Sequence, residues 1–175
     1  MSFEIRVNGR KFDLWETATV QRSIDMNSGL FRFTSSNTVP ADYPVRAGDE
    51  VQILINGVSK IKGFCDTVSA AMDEGVHTVA VEGRDNTADL IDSSVPDGAK
   101  TIAAPITMKA LCEKVILELG AYIPVVNDIG GSVSVSGSVD EFGETTGISA
   151  DSGRACMEFL TSFARKKQLY LVLGS

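Results

Sequence analysis

The sequence contains little of the side-chain chemistry that enzymes use. Among its 175 residues there is one histidine, His77. His77 alternates with Val79 and Val81 in a strand-like run, so we interpret it as a strand residue and not as a general base. Because no other histidine is available, the sequence indicates no Ser-His-Asp or Cys-His arrangement. We therefore predict no catalytic residues and no enzymatic activity.

Cysteine is scarce as well, and its spacing excludes two further classes of site. The chain has three cysteines, at Cys65, Cys112 and Cys156, with no CxxC pair and no Cys/His cluster. This spacing supports neither a zinc site nor a disulfide framework. Reduced, partly buried thiols are the simplest interpretation, and they suit synthesis in a cytosol. No metal or cofactor is expected.

Long apolar runs and excess basic charge are both missing. No stretch approaches the roughly 20 apolar residues that a membrane span needs, and the N-terminus does not resemble a signal peptide. The formal net charge is −7, which argues against binding to a phosphate backbone. The acidic residues Asp140, Glu141 and Glu144 lie in a Gly/Ser-rich region. We interpret them as a solvated loop and not as a glycosidase pair.

The sequence does contain a series of short segments in which apolar and polar residues alternate, as is typical of strands. They cover approximately residues 3–8, 11–15, 19–25, 29–35, 50–55, 58–68 and 76–82. Asn8-Gly9 and Asn56-Gly57 predict type I′ hairpin turns, and Gly63 is predicted to be a bulge or a close approach. Phe12 and Leu14 should share one face. Regular short strands with turns between them predict a closed antiparallel β-barrel over residues 1–95.

Beyond Pro96 the periodicity becomes helical. A stripe from Met108 to Leu119 predicts one helix, with Thr107 as N-cap and Gly120 as C-terminal cap. A second helix is predicted over about 153–167, with Asp151 or Ser152 as cap. Short strands are predicted at 123–126 and 169–173, whereas 130–138 fits either an exposed strand or a mobile loop. Residues 96–175 should thus form a small two-helix α+β module.

Between these regions lies the most informative stretch, VAVEGRDNTADLIDSS at residues 79–94. The alternating strand is predicted to break at Gly83 and to continue as one helical turn. Asn86 is a candidate N-cap for that turn, and Asp89 occupies the position of a capping-box acid. Arg84 and Asp85 are predicted to be turn residues whose charges face water or a neighbouring subunit.

This stretch and the hairpin before it, VQILINGVSKIKGFCDTV, resemble the tail-hub proteins of contractile-tailed phages. That family includes the Mu-type and late-control-D-type baseplate hubs and is related to the hub part of type VI secretion spikes. Its motif combines a V-x-V-x-I-x-G strand, a G-x-V/I strand and V-x-G-R-x-x-T-x-D-L-x-D-x-S. The residues that carry the motif here, with the turn residue beside it, are Val51, Ile53, Asn56, Gly57, Gly63, Val81, Gly83, Arg84, Thr87, Asp89, Leu90, Asp92 and Ser94.

The resemblance implies a structural role: a virion, prophage or tailocin protein of the baseplate, made in the bacterial cytoplasm. Such a hub joins the tail tube to the central spike as a trimer, each subunit contributing two barrels to a pseudo-six-fold ring. The partners implied are other copies of the chain, the tube and spike proteins, and DNA that passes through without specific binding. Membrane insertion is not implied. A β-domain that binds carbohydrate or peptide is the alternative that the residues leave open.

The chain departs from this family in two respects. Ala155 stands where the family's second-helix motif usually has Thr. Hubs of this type are also about twice as long, and the strands completing the first barrel, with all of the second, would follow the inserted α+β module. This sequence stops at Ser175, which fits either a fragment or a shortened relative.

Overall fold

The computed structural model of this protein describes residues 2–23, 28–36, 43–73, 76–128, 131–137 and 146–172. The chain divides into two compact units, Met1–Thr87 and Ala88–Gly174. The helical turn of the 79–94 stretch thus falls in the second unit. Much of the predicted turn at 25–29, the loop at 40–44 and the turn at 73–75 lies outside the described residues, as do Asp140, Glu141 and Glu144.

The first unit is one antiparallel sheet. Its strands are β1 (Phe3–Val7), β2 (Arg10–Phe12), β3 (Thr17–Gln21), β4 (Leu30–Ser36), β5 (Glu50–Ile55), β6 (Val58–Asp73) and β7 (Val76–Asp85). They form a seven-stranded sheet in the order β2-β1-β5-β6-β7-β4-β3. The predicted fold class, mainly β with a small α+β part, is confirmed. The prediction of a closed barrel differs from the structure in one respect. Within the described residues the sheet is a curled half-barrel with β2 and β3 as outer strands.

Both predicted hairpin turns have the required backbone conformation. Asn8 and Gly9 have φ of 49° and 76°, and Asn56 and Gly57 have φ of 52° and 78°. A type I′ turn needs positive φ at both central residues, which Asn and Gly tolerate best. The second turn is also tied to the N-terminus, because Ser2 N donates to Asn56 Oδ1 at 2.9 Å.

One face of this sheet carries the core of the first unit. Its fully buried members include Ile5, Phe33, Ile53 and Val81. In β4 the alternation is as predicted, with Phe31 and Phe33 inside and Leu30 and Arg32 outside. One face assignment was wrong. Phe12 is buried but Leu14 is 55% exposed, because β2 ends at Phe12 and the chain then leaves the ladder.

The long strand β6 contains two β-bulges. Opposite β5, the pairing steps from Ile61 to Ser59 and leaves Lys60 without a partner position. Opposite β7, it steps from Cys65 to Thr67 and passes over Asp66. Each extra residue bends the strand and increases its twist, which suits a sheet that curls around its own core.

The second unit is built on two helices. Its elements are α1 (Ala88–Asp92), a 3-10 helix (Asp97–Ala99), β8 (Thr101–Ile102), β9 (Ile106–Thr107), α2 (Met108–Leu119), β10 (Ser134–Val135), β11 (Ile148–Ser149) and α3 (Cys156–Lys166). The predicted caps of α2 are confirmed: Thr107 accepts from Ala110 N, and Gly120 has a left-handed φ of 74°. Strand β8 pairs with β11, and β9 pairs with β10.

Three local predictions for the second unit were wrong. Helix α3 begins at Cys156 after Ala155, which makes no side-chain cap bond, so neither Asp151 nor Ser152 caps it. Residues 123–126 and 169–172 are extended but belong to no sheet among the described residues, and Leu173 lies outside that part of the chain. Their apolar alternation is that of strands, but a strand also needs a partner. None of the helices in the described part is long and apolar enough to cross a membrane.

Candidate functional site

The motif residues of the first unit meet where β6 and β7 cross closely. An ideal Cβ on Gly63 would lie 1.9 Å from the carbonyl oxygen of Arg84. One on Gly83 would lie 2.2 Å from the carbonyl oxygen of Phe64 and 2.4 Å from Cζ of Phe31. Any side chain at either position would force these strands apart. Gly63 is therefore a close approach, and the bulges lie on either side of it.

At this crossing, the carboxylate of Asp85 is buried, with 7% of the residue exposed. One oxygen, Oδ2, accepts from Gly29 N at 2.9 Å. The other, Oδ1, accepts from Ser28 Oγ at 3.0 Å and from Thr87 N at 3.0 Å. Thr87 Oγ1 also donates to Oδ1. Asp85 thus joins the start of β4 to the end of β7 and fixes the chain just before the second unit begins.

This geometry corrects three predictions. The strand does not break at Gly83, because β7 continues to Asp85. Asp85 faces neither water nor a neighbouring subunit, since its charge is satisfied inside the unit. Asn86 is not the N-cap: its Oδ1 is buried and has no hydrogen-bond partner among the described residues. The Asx-type bond from Thr87 N to Asp85 takes the place expected for Asn86.

The remaining motif residues belong to the second unit. Asp89 is exposed in the first turn of α1, where the helix dipole favours an acid, and Leu90 is buried in the core of that unit. Asp92 ends the helix. Ser94 then forms an isolated bridge with Ala155, and its Oγ donates to the Gly153 carbonyl at 3.4 Å. These contacts fix α1 against the start of α3.

On the outward face of the sheet, β4, β6 and β7 carry paired charges. Arg84 Nε lies 2.8 Å from Asp66 Oδ2, and Arg32 lies 2.9 Å from Glu82. A shallow cavity of about 410 Å³ runs beside them, with Leu30 in its lining. The pairs are half-exposed, so each contributes at most about 1 kcal/mol to stability. The four charges of these two pairs therefore balance one another.

The described residues offer little for catalysis or metal binding. All three cysteines are free and buried. Burial raises the pKa of Cys65 and the pKa of Cys112, each to about 11, so both remain thiols at neutral pH. In the described ranges no group of three or more His, Cys, Asp or Glu could hold a metal ion.

Sequence reasoning missed the partners of Asp85 and both bulges. Ser28 and Gly29 lie 57 and 56 residues before Asp85 in the chain, so no local pattern links them. The sequence indicates the bulges only weakly, because Lys60 and Asp66 are simply charged residues within an otherwise regular strand pattern. Gly63 and Gly83 were detectable because glycine inside a strand often marks close backbone contact.

A family model matches the first half of the chain. Residues 2–85 match the model described as Mu phage baseplate assembly protein GpP-like, N-terminal. The match ends at the crossing residue Asp85 and covers the whole curled sheet. No curated protein sequence matches the chain.

Solved structures show the same fold. The 43 kDa tail protein of prophage MuSo2 from Shewanella oneidensis has a TM-score of 0.73 at 22% identity, covering 94% of this chain and 49% of that one. A tail protein from Neisseria meningitidis MC58 has a TM-score of 0.78 at 18% identity, covering 98% and 47%. An E. coli type VI secretion component, described as similar in structure to T4 bacteriophage tail proteins gp27 and gp5, has a TM-score of 0.51 at 10% identity, covering 91% and 42%. This chain therefore spans about half the length of these relatives.

Proposed function

We propose that the chain is a hub subunit of a contractile-tail baseplate, because residues 2–85 match the family model of the Mu phage baseplate assembly protein GpP-like, N-terminal. In this role it joins the tail tube to the central spike and makes contacts with both. The observation that carries the proposal is the family match over the entire curled sheet. Among the motif positions, Gly63 and Gly83 allow the close crossing of β6 and β7, and Leu90 and Ser94 help to shape the start of the second unit.

The surface chemistry supports a structural role. On the outward face of the sheet, Arg32 pairs with Glu82 and Arg84 pairs with Asp66, so these four charges can approach another protein already partnered. The net charge of −7 repels DNA, which suits a subunit that lines a DNA channel without binding its contents. Three longer chains, or a larger number of short ones, would complete the ring around that channel.

Location in the particle tests the proposal directly. Tails are purified from a culture that produces them with an epitope-tagged copy of this chain, and the tag is labelled with gold for electron microscopy. We expect label at one end of the tail, at the baseplate. Label along the tube, or tails without label although the tagged chain is expressed and soluble, would contradict the hub role.

A second test addresses enzymatic activity. We expect the chain to release no reducing ends from peptidoglycan or other glycans. Changing Asp140, Glu141 and Glu144 together to their amides should alter stability little. Release of reducing ends that disappears in this triple variant would overturn the structural role, whereas saturable sugar binding without turnover would favour a carbohydrate-binding domain.

A further inference from the structure

The two Asn-Gly turns of the first unit carry a chemical reactivity that the hub role does not use. In an Asn-Gly pair, the backbone nitrogen of glycine can attack the side-chain amide of the preceding asparagine, because glycine has no side chain to block the approach. Asn8-Gly9 joins β1 to β2, and Asn56-Gly57 joins β5 to β6. All four residues are exposed, so water, which the reaction consumes, can reach both turns.

The surroundings of the two turns are alike. Each has positive φ at both central residues. An ideal Cβ on Gly9 or on Gly57 would meet nothing within 4 Å beyond its neighbours in the chain. Sequence, backbone conformation and open space therefore do not distinguish the two asparagines, whereas their side-chain hydrogen bonds do.

The side chain of Asn8 is held at both ends of its amide. Its Oδ1 accepts from Glu50 N at 3.1 Å, and its Nδ2 donates to Asp49 Oδ1 at 2.9 Å. The nitrogen that must leave during the reaction is thus bonded to a carboxylate. The negative charge of Asp49 also opposes the charge that develops on Asn8 Oδ1 during attack.

The side chain of Asn56 is held at one end. Its Oδ1 accepts from Ser2 N at 2.9 Å, so one backbone N–H polarises the amide carbonyl as it does in Asn8. Ser2 is itself exposed and precedes β1. In the described part of the chain, Asn56 Nδ2 has no bond that corresponds to the one between Asn8 and Asp49. Asn56 can therefore turn towards Gly57 N at a lower cost in free energy.

We propose that Asn56 is a site of spontaneous deamidation, and that it reacts faster than Asn8 in the folded chain. Gly57 N forms a bond to Cγ of Asn56, and the bond from Cγ to Nδ2 breaks. The proton of Gly57 N passes through water to the departing nitrogen, which leaves as ammonia, and a succinimide ring remains. Water then opens the ring at either carbonyl and yields aspartate or isoaspartate. Water is the co-reactant, and nothing is oxidised or reduced.

The isoaspartate product should disturb the hairpin. Its backbone runs through the former side chain, which lengthens the connection between Ile55 and Val58, the residues that pair across the turn. A type I′ turn accommodates two central residues of ordinary length, so the adjacent end of the ladder should open. Deamidation would thus loosen the β5–β6 hairpin as the folded chain ages. The proposal concerns the first unit and does not depend on the hub role.

Ageing of the purified chain tests the proposal. The folded chain is kept in mildly alkaline buffer, and samples are digested at intervals. Chromatography with mass spectrometry then separates the asparagine, aspartate and isoaspartate forms of the peptides that contain positions 8 and 56. We expect product at Asn56 to form about two- to tenfold faster than at Asn8, which is the effect of one additional hydrogen bond at the slower site. In urea, both sets of contacts are lost and the two rates should become similar.

Two variants change the restraints separately, and Trp15 fluorescence first verifies that each is folded. Asp49→Ala removes the partner of Asn8 Nδ2 and should speed the reaction at Asn8 several-fold without changing that at Asn56. Ser2→Pro removes the N–H that holds Asn56 and should speed the reaction there without changing that at Asn8. Equal rates at the two positions in the folded wild type would overturn the proposal. A faster reaction at Asn8, or reaction of Asn56 in urea alone, would overturn it too.

Discussion

Removal of the Asp85 carboxylate should destabilise the first unit more than removal of any exposed acid. In Asp85→Ala, the N–H groups of Gly29 and Thr87 lose the acceptors that they bond at 2.9 and 3.0 Å. An unsatisfied buried donor costs about 1–3 kcal/mol, and hydrogen bonds to a charged group contribute about 1.5–3 kcal/mol each. Because these contributions are not additive, we expect a loss of about 3–5 kcal/mol in the free energy of unfolding. That is a large part of the roughly 5–15 kcal/mol that stabilises a typical domain.

Asp85→Asn should have a smaller effect, for a geometric reason. An amide oxygen at the Oδ1 position still accepts from Ser28 and Thr87. The amide nitrogen at the Oδ2 position faces the N–H of Gly29, so one hydrogen bond is replaced by two opposed donors. We expect a loss of about 1–3 kcal/mol, between wild type and Asp85→Ala.

Urea unfolding followed by tryptophan fluorescence measures these differences. Trp15 is the sole tryptophan and packs against Phe3, with ring centroids 5.1 Å apart, so its signal reports on the first unit. Asp66→Ala is the matched control, because it removes an acid whose side chain is 40% exposed and should cost at most about 1 kcal/mol. If Asp85→Ala unfolds within about 0.5 kcal/mol of wild type, the inferred role of the buried carboxylate is wrong.

Three further predictions use the same protein. Gly57→Val should lower the free energy of unfolding by about 1–3 kcal/mol, because φ at Gly57 is 78°. Asn56→Gly keeps the turn conformation accessible and should lower it less in the same urea assay. Equal unfolding midpoints for Gly57→Val and wild type would indicate another kind of turn. The pKa of Cys65 is raised to about 11 in the fold, against 9.0 for a free thiol, because burial favours the neutral form. Its contribution to the free energy of unfolding is therefore complete below pH 9 and is lost as the pH rises towards 11. Between pH 8 and 10 the wild type should lose about 1 kcal/mol more stability than Cys65→Ala, and equal losses would contradict burial as the cause. Light scattering coupled to size exclusion should find the isolated chain mainly monomeric at micromolar concentration, because one half-barrel per chain provides half the lateral contacts of a two-barrel hub. A stable trimer would instead assign the three-fold contact to the second unit. A stable hexamer would indicate a ring of six short chains in place of three long ones.

The sequence predicted best those features that neighbouring residues determine. The Asn56-Gly57 turn requires positive φ, which these residue types tolerate, and Thr107 and Gly120 delimit α2 through bonds to residues within the helix itself. Such features depend on local geometry alone. Their prediction therefore does not require knowledge of which strand lies beside which.

Features that depend on distant partners were predicted less well. Aspartate is a residue type that is common in turns, so Asp85 was predicted as a turn residue. Only its hydrogen bond from Gly29 N, across the sheet, makes it a buried structural acid. Residues 123–126 have the alternation of a strand, but no described segment pairs with them. Closure of the barrel failed as a prediction for the same reason, since it depends on whether β2 and β3 meet. Periodicity reports which side of a segment is apolar and does not identify its neighbour.

The bulge at Asp66 reverses the odd–even phase of the long strand β6. Before the bulge, Ile61 and Cys65 face the core at odd-numbered positions; after it, the core-facing residue is Val68, at an even-numbered one. Substitution of Asp66 alters the ion pair with Arg84 and leaves this phase intact. Deletion of Asp66 would bring Cys65, Thr67 and Val68 into plain in–out–in alternation opposite the same β7 partners. A chain that lacks this residue should therefore keep its core-facing residues and lose the local bend that the bulge produces.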